Sequence, residues 1–124
     1  LEIHLVNTKE VEATMDRIKI ASAAGLAVLE VLDKEKLMDN AAAIGKHWMN
    51  KLQGIPVLTG LRGRGLMIGL DLSEDFKHVR TNLLMKHHIF TGEAKPNTSR
   101  LLPSLAVTRE EAEMFIHALN VELA

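Results

Sequence analysis

Residues 57–70 read VLTGLRGRGLMIGL, a strand-like stretch interrupted by closely spaced glycines. In its second half the apolar residues Leu66, Ile68 and Leu70 are separated by single residues. That two-residue period is typical of a strand with one buried face. Glycines at this density indicate a bulge, a bend or a close backbone contact. The stretch therefore predicts a strand with interruptions near the centre of the chain.

The residues before this strand carry helical periodicity. Alternating apolar residues over 1–7 predict a short strand, and from Thr8 the period changes to three- and four-residue steps. This second pattern predicts either one long helix or two helices joined near residue 16, with Asp33 as the cap before the next helix. A further apolar stripe precedes Gly54 and Pro56, which end it; it consists of Leu37, Ala41, Ile44, Trp48 and Leu52.

The residues after the strand alternate between helix and strand signals. Ser73 is predicted to cap a third helix, whose stripe is Phe76, Val79, Leu83 and His87. Short strands are predicted at 89–91 and 100–102, and Thr108 with Glu111 forms a capping box for the last helix. The order of these elements predicts an α+β fold, with a small, largely antiparallel sheet covered by helices.

The composition restricts the classes of function. The chain of 124 residues suits one domain, and its 47% hydrophobic and 25% charged residues are ordinary for a globular protein. A formal net charge of −1 gives no support for nucleic acid or a membrane surface as a partner. The absence of cysteine excludes disulfides and thiolate sites. With no apolar run long enough to cross a bilayer, the sequence predicts a soluble, cytoplasmic domain.

Two arginine clusters are candidate anion sites. Residues 62–65 read RGRG, and such a segment can bind phosphate or carboxylate through its backbone N–H groups. The spacing favours a bent strand entry with two solvated arginines instead, because no helix follows directly. Arg100 stands before Leu101 and is held on a stiff element that Pro103 stops. Its planar fork could bind a carboxylate, whereas an ordinary arginine at a sheet edge is the alternative.

Other reactive side chains do not form a recognisable site. The chain has six histidines, and none forms the i, i+4 pair with a glutamate that zinc proteases use. We therefore predict no metal site. The glutamates at 110, 111 and 113 complement the dipole of a helix. From the residues alone, the sequence supports only a soluble α+β domain.

Three stretches taken together resemble one enzyme family. Residues 21–32 read ASAAGLAVLEVL, residues 61–72 read LRGRGLMIGLDL, and residues 97–105 read NTSRLLPSL. In this order and spacing they resemble the class III aminotransferases, which depend on pyridoxal 5'-phosphate (PLP), and especially those of the acetylornithine type. The resemblance covers residues 20–124 and implies the C-terminal small domain of fold type I enzymes. Residues 1–19 form a segment that does not match.

The resemblance implies one site residue and no more. Arg100, in its Arg-Leu-Leu-Pro motif, matches the family's arginine that binds the α-carboxylate of the substrate. Arg62 and Arg64 match a structural strand. The lysine that carries PLP and the other cofactor-binding residues of the family lie upstream. The chain is therefore expected to have no catalytic, cofactor-binding or metal-binding residue of its own.

The resemblance also implies a function for the parent protein. That protein would be a PLP-dependent homodimer that moves an amino group from N-acetylornithine, or N-succinylornithine, to 2-oxoglutarate in arginine biosynthesis. Its partners are small amino acid and 2-oxo acid substrates, and this chain alone is expected to be inactive. The alternative is a free-standing α+β regulatory module in which Arg100 binds a small carboxylate or amino acid without chemistry.

Overall fold

The computed structural model describes residues 8–94 and 97–124. The chain divides into two compact units, one up to Lys36 and the other Leu37–Ala124. The short strand predicted for residues 1–7 lies outside the described residues. The second unit contains the sheet and carries all the candidate site residues.

The described part of the first unit is a single helix, α1, at Thr8–Lys34, so the one-helix alternative is correct. The prediction of Asp33 as a cap is wrong, because Asp33 lies within the last turn of α1. The helix ends where Lys36 adopts a left-handed conformation with φ 51°. The Lys36 N–H there donates to the Asp33 carbonyl at 3.1 Å.

Within the described residues the second unit has four strands in one antiparallel sheet, in the order β1-β2-β4-β3. The strands are β1 at Leu58–Arg64, β2 at Met67–Leu72, β3 at Gly92–Ala94 and β4 at Thr98–Leu101. The helices are α2 at Leu37–Leu52, α3 at His78–His87 and α4 at Arg109–Leu123. The predicted α+β class with a small antiparallel sheet is confirmed.

The segment predicted as one interrupted strand is a hairpin. β1 and β2 pair with Arg64 opposite Met67, and the chain reverses at Gly65. Gly65 has a φ of +55°, a left-handed conformation that glycine adopts without the steric cost of a Cβ. The glycine density therefore marks a turn, and the alternation on its far side belongs to a separate strand.

The strand predicted at 89–91 was placed three residues too early, since β3 lies at Gly92–Ala94. His88 is left-handed, with φ 57°, and the Ile89 N–H donates to the Leu83 carbonyl at 2.9 Å. These features cap α3, so Ile89 belongs to the end of the helix and β3 begins only at Gly92. The next strand, β4, begins at Thr98 instead of Arg100 because it pairs with β2 from that residue.

The helix starts agree only in part with the predictions. Ser73 precedes a single 3-10 turn at Glu74–Phe76, makes no side-chain cap hydrogen bond, and α3 begins later at His78. The capping box of α4 is confirmed. There the Glu111 N–H donates to the Thr108 hydroxyl at 3.2 Å, and the Thr108 N–H donates to the Glu111 carboxylate at 2.8 Å.

The core lies between one face of the sheet and the helices. Trp48 of α2 packs against Phe115 of α4, with ring centroids 5.3 Å apart, and its indole N–H donates to the Ala112 carbonyl at 3.0 Å. The side chains with under 2% exposure are Leu52, Ile68, Leu70, Leu83, Leu119 and Val79. The helices of this unit pack on this face of the sheet, and the polar side chains of the strands lie on the opposite face.

A carboxylate near the C-terminus joins α3 to α4. The Glu122 side chain is only 6% exposed and accepts hydrogen bonds from Asn82 at 2.6 Å, from Lys86 at 3.2 Å and from His87 at 2.9 Å. The hydrogen bond from His87 is the main cause that lowers the pKa of Glu122 from 4.5 to about 2. Folding therefore favours the ionised carboxylate.

We expect this carboxylate to contribute to acid sensitivity. Its stabilising effect is fully present above pH 4.5, its ordinary pKa, and is lost as the pH falls toward 2. Glu122→Gln should therefore lower the denaturation midpoint at pH 7 and flatten the loss of stability in acid. The control is Glu110→Gln, at an exposed residue in the first turn of α4. Identical pH profiles for the wild type and Glu122→Gln, measured by urea denaturation, would contradict this role.

Candidate carboxylate site

The face of the sheet opposite the helices, here called the open face, carries the polar residues of the strands. Ile68, Leu70 and Leu101 are buried in the core, so the residues that alternate with them point the other way. The strand pairing arranges these residues in rows across the sheet. One row is Arg62, Gly69, Arg100 and Gly92, and the next is Gly60, Asp71, Thr98 and Ala94.

Arg100 lies in β4 with a glycine on either side. Its cross-strand partners are Gly69 in β2 and Gly92 in β3. A Cβ at Gly92 would lie 3.4 Å from the Arg100 Nε, so the arginine side chain passes directly over that glycine. Arg100 is exposed. Its guanidinium makes no hydrogen bond or ion pair within residues 8–94 and 97–124, and it can therefore bind an anion.

A cavity of about 600 Å³ opens beside Arg100. Its lining is mainly apolar and includes Trp48 and Phe115 at the core side and Phe90 and Met114 at the surface. Phe90 is 79% exposed and Met114 is 66% exposed. Arg100 is thus the one arginine among the described residues that line this mainly apolar space, a combination that suits a small molecule with a carboxylate at one end.

The second arginine of the row is tied to two neighbours on the open face. The Arg62 guanidinium forms an ion pair with Asp71 and donates to the Thr98 hydroxyl at 3.1 Å, while that hydroxyl donates to Asp71. Hydrogen bonds from Arg62 and Thr98 lower the pKa of Asp71, and the hydrogen bond to Asp71 raises the pKa of Arg62. A Cβ at Gly60 would overlap the Asp71 carboxylate, so this glycine leaves room for the ion pair.

The structure places the predicted arginines Arg62 and Arg100 in one row of the open face, and it gives Arg62 two neighbours that were not predicted. The RGRG segment is part of a hairpin strand, as the strand interpretation predicted. Of its two arginines, Arg62 is ion-paired, and Arg64 is exposed without a described partner. Asp71 and Thr98 were not predicted from the sequence. Thr98 could have been found from its two-residue spacing to Arg100, which places both on one face of a strand, whereas Asp71 required knowledge of the strand pairing.

Two of the histidines in the described residues join helices to one another. His47 lies 2.6 Å from Glu113, and His87 lies 2.9 Å from Glu122, each joining two helices. Within residues 8–94 and 97–124 there is no group of three or more histidine, aspartate and glutamate side chains placed to hold a metal ion. In the same residues no helix has the length and apolar content needed to cross a membrane.

Known proteins with a similar structure are aminotransferases and related enzymes. A phospholyase from Arthrobacter superposes with a TM-score of 0.75 at 28% identity, over 84% of this chain and 28% of that protein. The ornithine aminotransferase from Toxoplasma gondii superposes with a TM-score of 0.67 at 26% identity, over 77% of this chain and 24% of that protein.

Sequence relatives agree with the structural ones. Ornithine aminotransferase of Exiguobacterium sp. is 34% identical over 107 residues, which cover 85% of this chain and 26% of that protein. Acetylornithine aminotransferase 1 of Bordetella bronchiseptica is 34% identical over 104 residues, which cover 81% and 26%. The chain thus spans about a quarter of the length of these relatives. Residues 12–123 match the family model "Aminotransferase class-III", and the chain therefore belongs to the class III aminotransferase family.

Proposed function

We propose that residues 20–124 are the C-terminal small domain of a PLP-dependent aminotransferase, in which Arg100 binds the α-carboxylate of the substrate. The observation that carries this proposal is the environment of Arg100. Arg100 is exposed, has a glycine as its cross-strand neighbour on either side and lines a cavity, and its guanidinium has no partner among the described residues. A bidentate arginine fixes the orientation of a carboxylate, and such positioning lowers the barrier of the reaction that follows.

The substrates of the whole protein are part of the same proposal. We infer that it moves an amino group from N-acetylornithine, or N-succinylornithine, to 2-oxoglutarate in arginine biosynthesis, and that it works as a cytoplasmic homodimer. Relatives named acetylornithine aminotransferase support the donor, as do the three motifs at 21–32, 61–72 and 97–105. Relatives named ornithine aminotransferase make ornithine the competing donor.

The proposal places the PLP-binding residues outside this chain. PLP serves as an electron sink in such enzymes and needs a lysine to carry it. No strand in the described part of the chain contains a lysine, so none projects from the open face beside Arg100. In the sheet-containing unit Lys77 and Lys86 are ion-paired with Glu74 and Glu122. In this proposal the lysine that carries PLP belongs to the rest of the whole protein.

The proposal is tested by comparing this chain with the whole protein. The gene is read upstream of Ile20, and both the chain alone and the chain with its upstream part are purified. The whole protein should bind PLP, which gives it a yellow colour, and should transaminate N-acetylornithine with 2-oxoglutarate. The chain alone should do neither. Activity of the chain alone, or a reading frame that begins near Leu1, would overturn the proposal.

A second candidate function is a free-standing carboxylate-binding module. The cavity of about 600 Å³ beside Arg100 favours it, because this space exists in the unit without any other domain. Titration calorimetry of the isolated chain with 2-oxoglutarate distinguishes the two functions. Saturable binding that Arg100→Gln abolishes supports the module, whereas a small domain that needs the rest of the enzyme should show none.

A further inference from the structure

The cavity beside Arg100 surrounds a ligand mainly with carbon atoms. Most of the described residues that line it are apolar, and they come from α2, from the loop between α3 and β3, from the end of β4 and from α4. Its volume of about 600 Å³ lies in the range of small-molecule sites. An uncharged group is therefore favoured in this space over a charged one, which would lose its water without a partner.

The charges in this lining are engaged by their neighbours, with Arg100 as the exception. One carboxylate oxygen of Glu111 accepts from the Thr108 N–H at 2.8 Å and from the Thr108 hydroxyl at 3.0 Å, which holds Glu111 in the capping box of α4. His87 lies 2.9 Å from Glu122. Among the described residues of the lining, Arg100 is therefore the permanent charge that is free to bind a ligand.

The proposed amino donor carries its acyl group next to its carboxylate. In an N-acylornithine the acyl group is attached to the α-nitrogen, which is two bonds from the carboxyl carbon. The amino group that is transferred lies at the far end of the side chain, because the α-nitrogen is acylated. A carboxylate bound to Arg100 therefore brings the acyl group beside the cavity that the same arginine lines.

We propose that the cavity beside Arg100 is the acyl-binding subsite of the whole protein and that it selects an acetyl group. The inference rests on the proposed function of Arg100. An acetyl group is uncharged and needs no ionic partner. A succinyl group carries a second carboxylate, while ornithine carries an α-ammonium group that would also face the Arg100 cation. Both charges would be desolvated in the cavity without a free partner.

The test measures kcat/KM of the whole protein that contains this chain for N-acetylornithine, N-succinylornithine and ornithine. The wild type should prefer N-acetylornithine to each of the others by about ten-fold or more. Met114 lines the cavity and is 66% exposed, so it tolerates charged replacements. Met114→Lys should raise the succinylornithine-to-acetylornithine ratio roughly two-fold to five-fold. Met114→Glu should lower that ratio and should raise the ornithine-to-acetylornithine ratio by a similar factor.

The matched controls are Met85→Lys and Met85→Glu. Met85 is 70% exposed in α3 and is not among the residues that line the cavity, so both ratios should stay at the wild-type values. Assays at pH 8.5 keep ordinary histidines neutral, so that His87 and His88 do not add charge to the comparison. A general loss of folding would lower kcat/KM for all three donors and would not shift the ratios in opposite directions.

The outcomes separate this inference from the proposed function. A wild type that prefers N-succinylornithine or ornithine, unshifted ratios in the Met114 variants, or equal shifts in the Met85 variants would overturn the acyl subsite. If Arg100→Gln lowered kcat/KM in that case, the proposed function would still stand. If Arg100→Gln left all three donors unaffected, or if the wild type used none of them, the proposed function itself would fall.

Discussion

Arg100→Gln should lower kcat/KM of the whole protein for its amino donor by roughly 30-fold to 1,000-fold, the range expected when one partner of a hydrogen-bonded charge pair is removed. Glutamine retains much of the side-chain length but loses the charge and the planar fork. The loss should be large because, among the described residues of the same row across the sheet, the other arginine, Arg62, is held by Asp71. Steady-state kinetics with N-acetylornithine measures the effect.

Two further variants make this prediction specific. Arg100→Lys keeps the charge without bidentate geometry and should recover only part of the activity. Arg64→Gln removes an arginine from the same face, opposite Met67 and away from β4, and should have little effect. Equal losses in Arg64→Gln and Arg100→Gln would mean that the face acts through its overall charge, and the specific role of Arg100 would be wrong.

Gly45→Ala should destabilise the sheet-containing unit by about 1–3 kcal/mol, the usual cost of an overpacked core. Inside a helix the same change normally stabilises by about 1 kcal/mol, so the expected sign is reversed. The reason is the hairpin turn packed on α2: a Cβ at Gly45 would overlap the backbone of Gly65, including its carbonyl oxygen. Neither backbone can move away as easily as a flexible side chain.

The measurement is urea denaturation followed by the fluorescence of Trp48, the single tryptophan, which is 3% exposed in α2. The matched control is Gly54→Ala, just after the same helix. A Cβ at Gly54 would meet only the Lys51 carbonyl at an ordinary 3.7 Å, so this change should be neutral or slightly stabilising. If Gly45→Ala were also stabilising, the close approach of the hairpin to α2 would be wrong.

Local signals account for what the sequence predicted correctly. The stripe of α2 placed Ile44, Trp48 and Leu52 in the core, and all three are buried there, because a 3.6-residue period fixes which side chains share a face. The capping box of α4 was predicted for a similar reason, since Thr108 and Glu111 are three residues apart and need no distant partner. The family resemblance, carried by three short motifs, agrees with the class III family match.

The sequence by itself predicted the helices and the antiparallel α+β class, and it singled out Arg100 through its Arg-Leu-Leu-Pro motif. Each of these depends on residues that are close together in the chain. Only the tertiary structure decided which strands are neighbours. The order β1-β2-β4-β3 brings Thr98 beside Asp71, places Gly69 between two arginines, and seats the turn at Gly65 on Gly45. These contacts join residues that are far apart in sequence, and periodicity carries no information about such partners. The contacts among Arg62, Asp71 and Thr98 are therefore a property of the folded sheet.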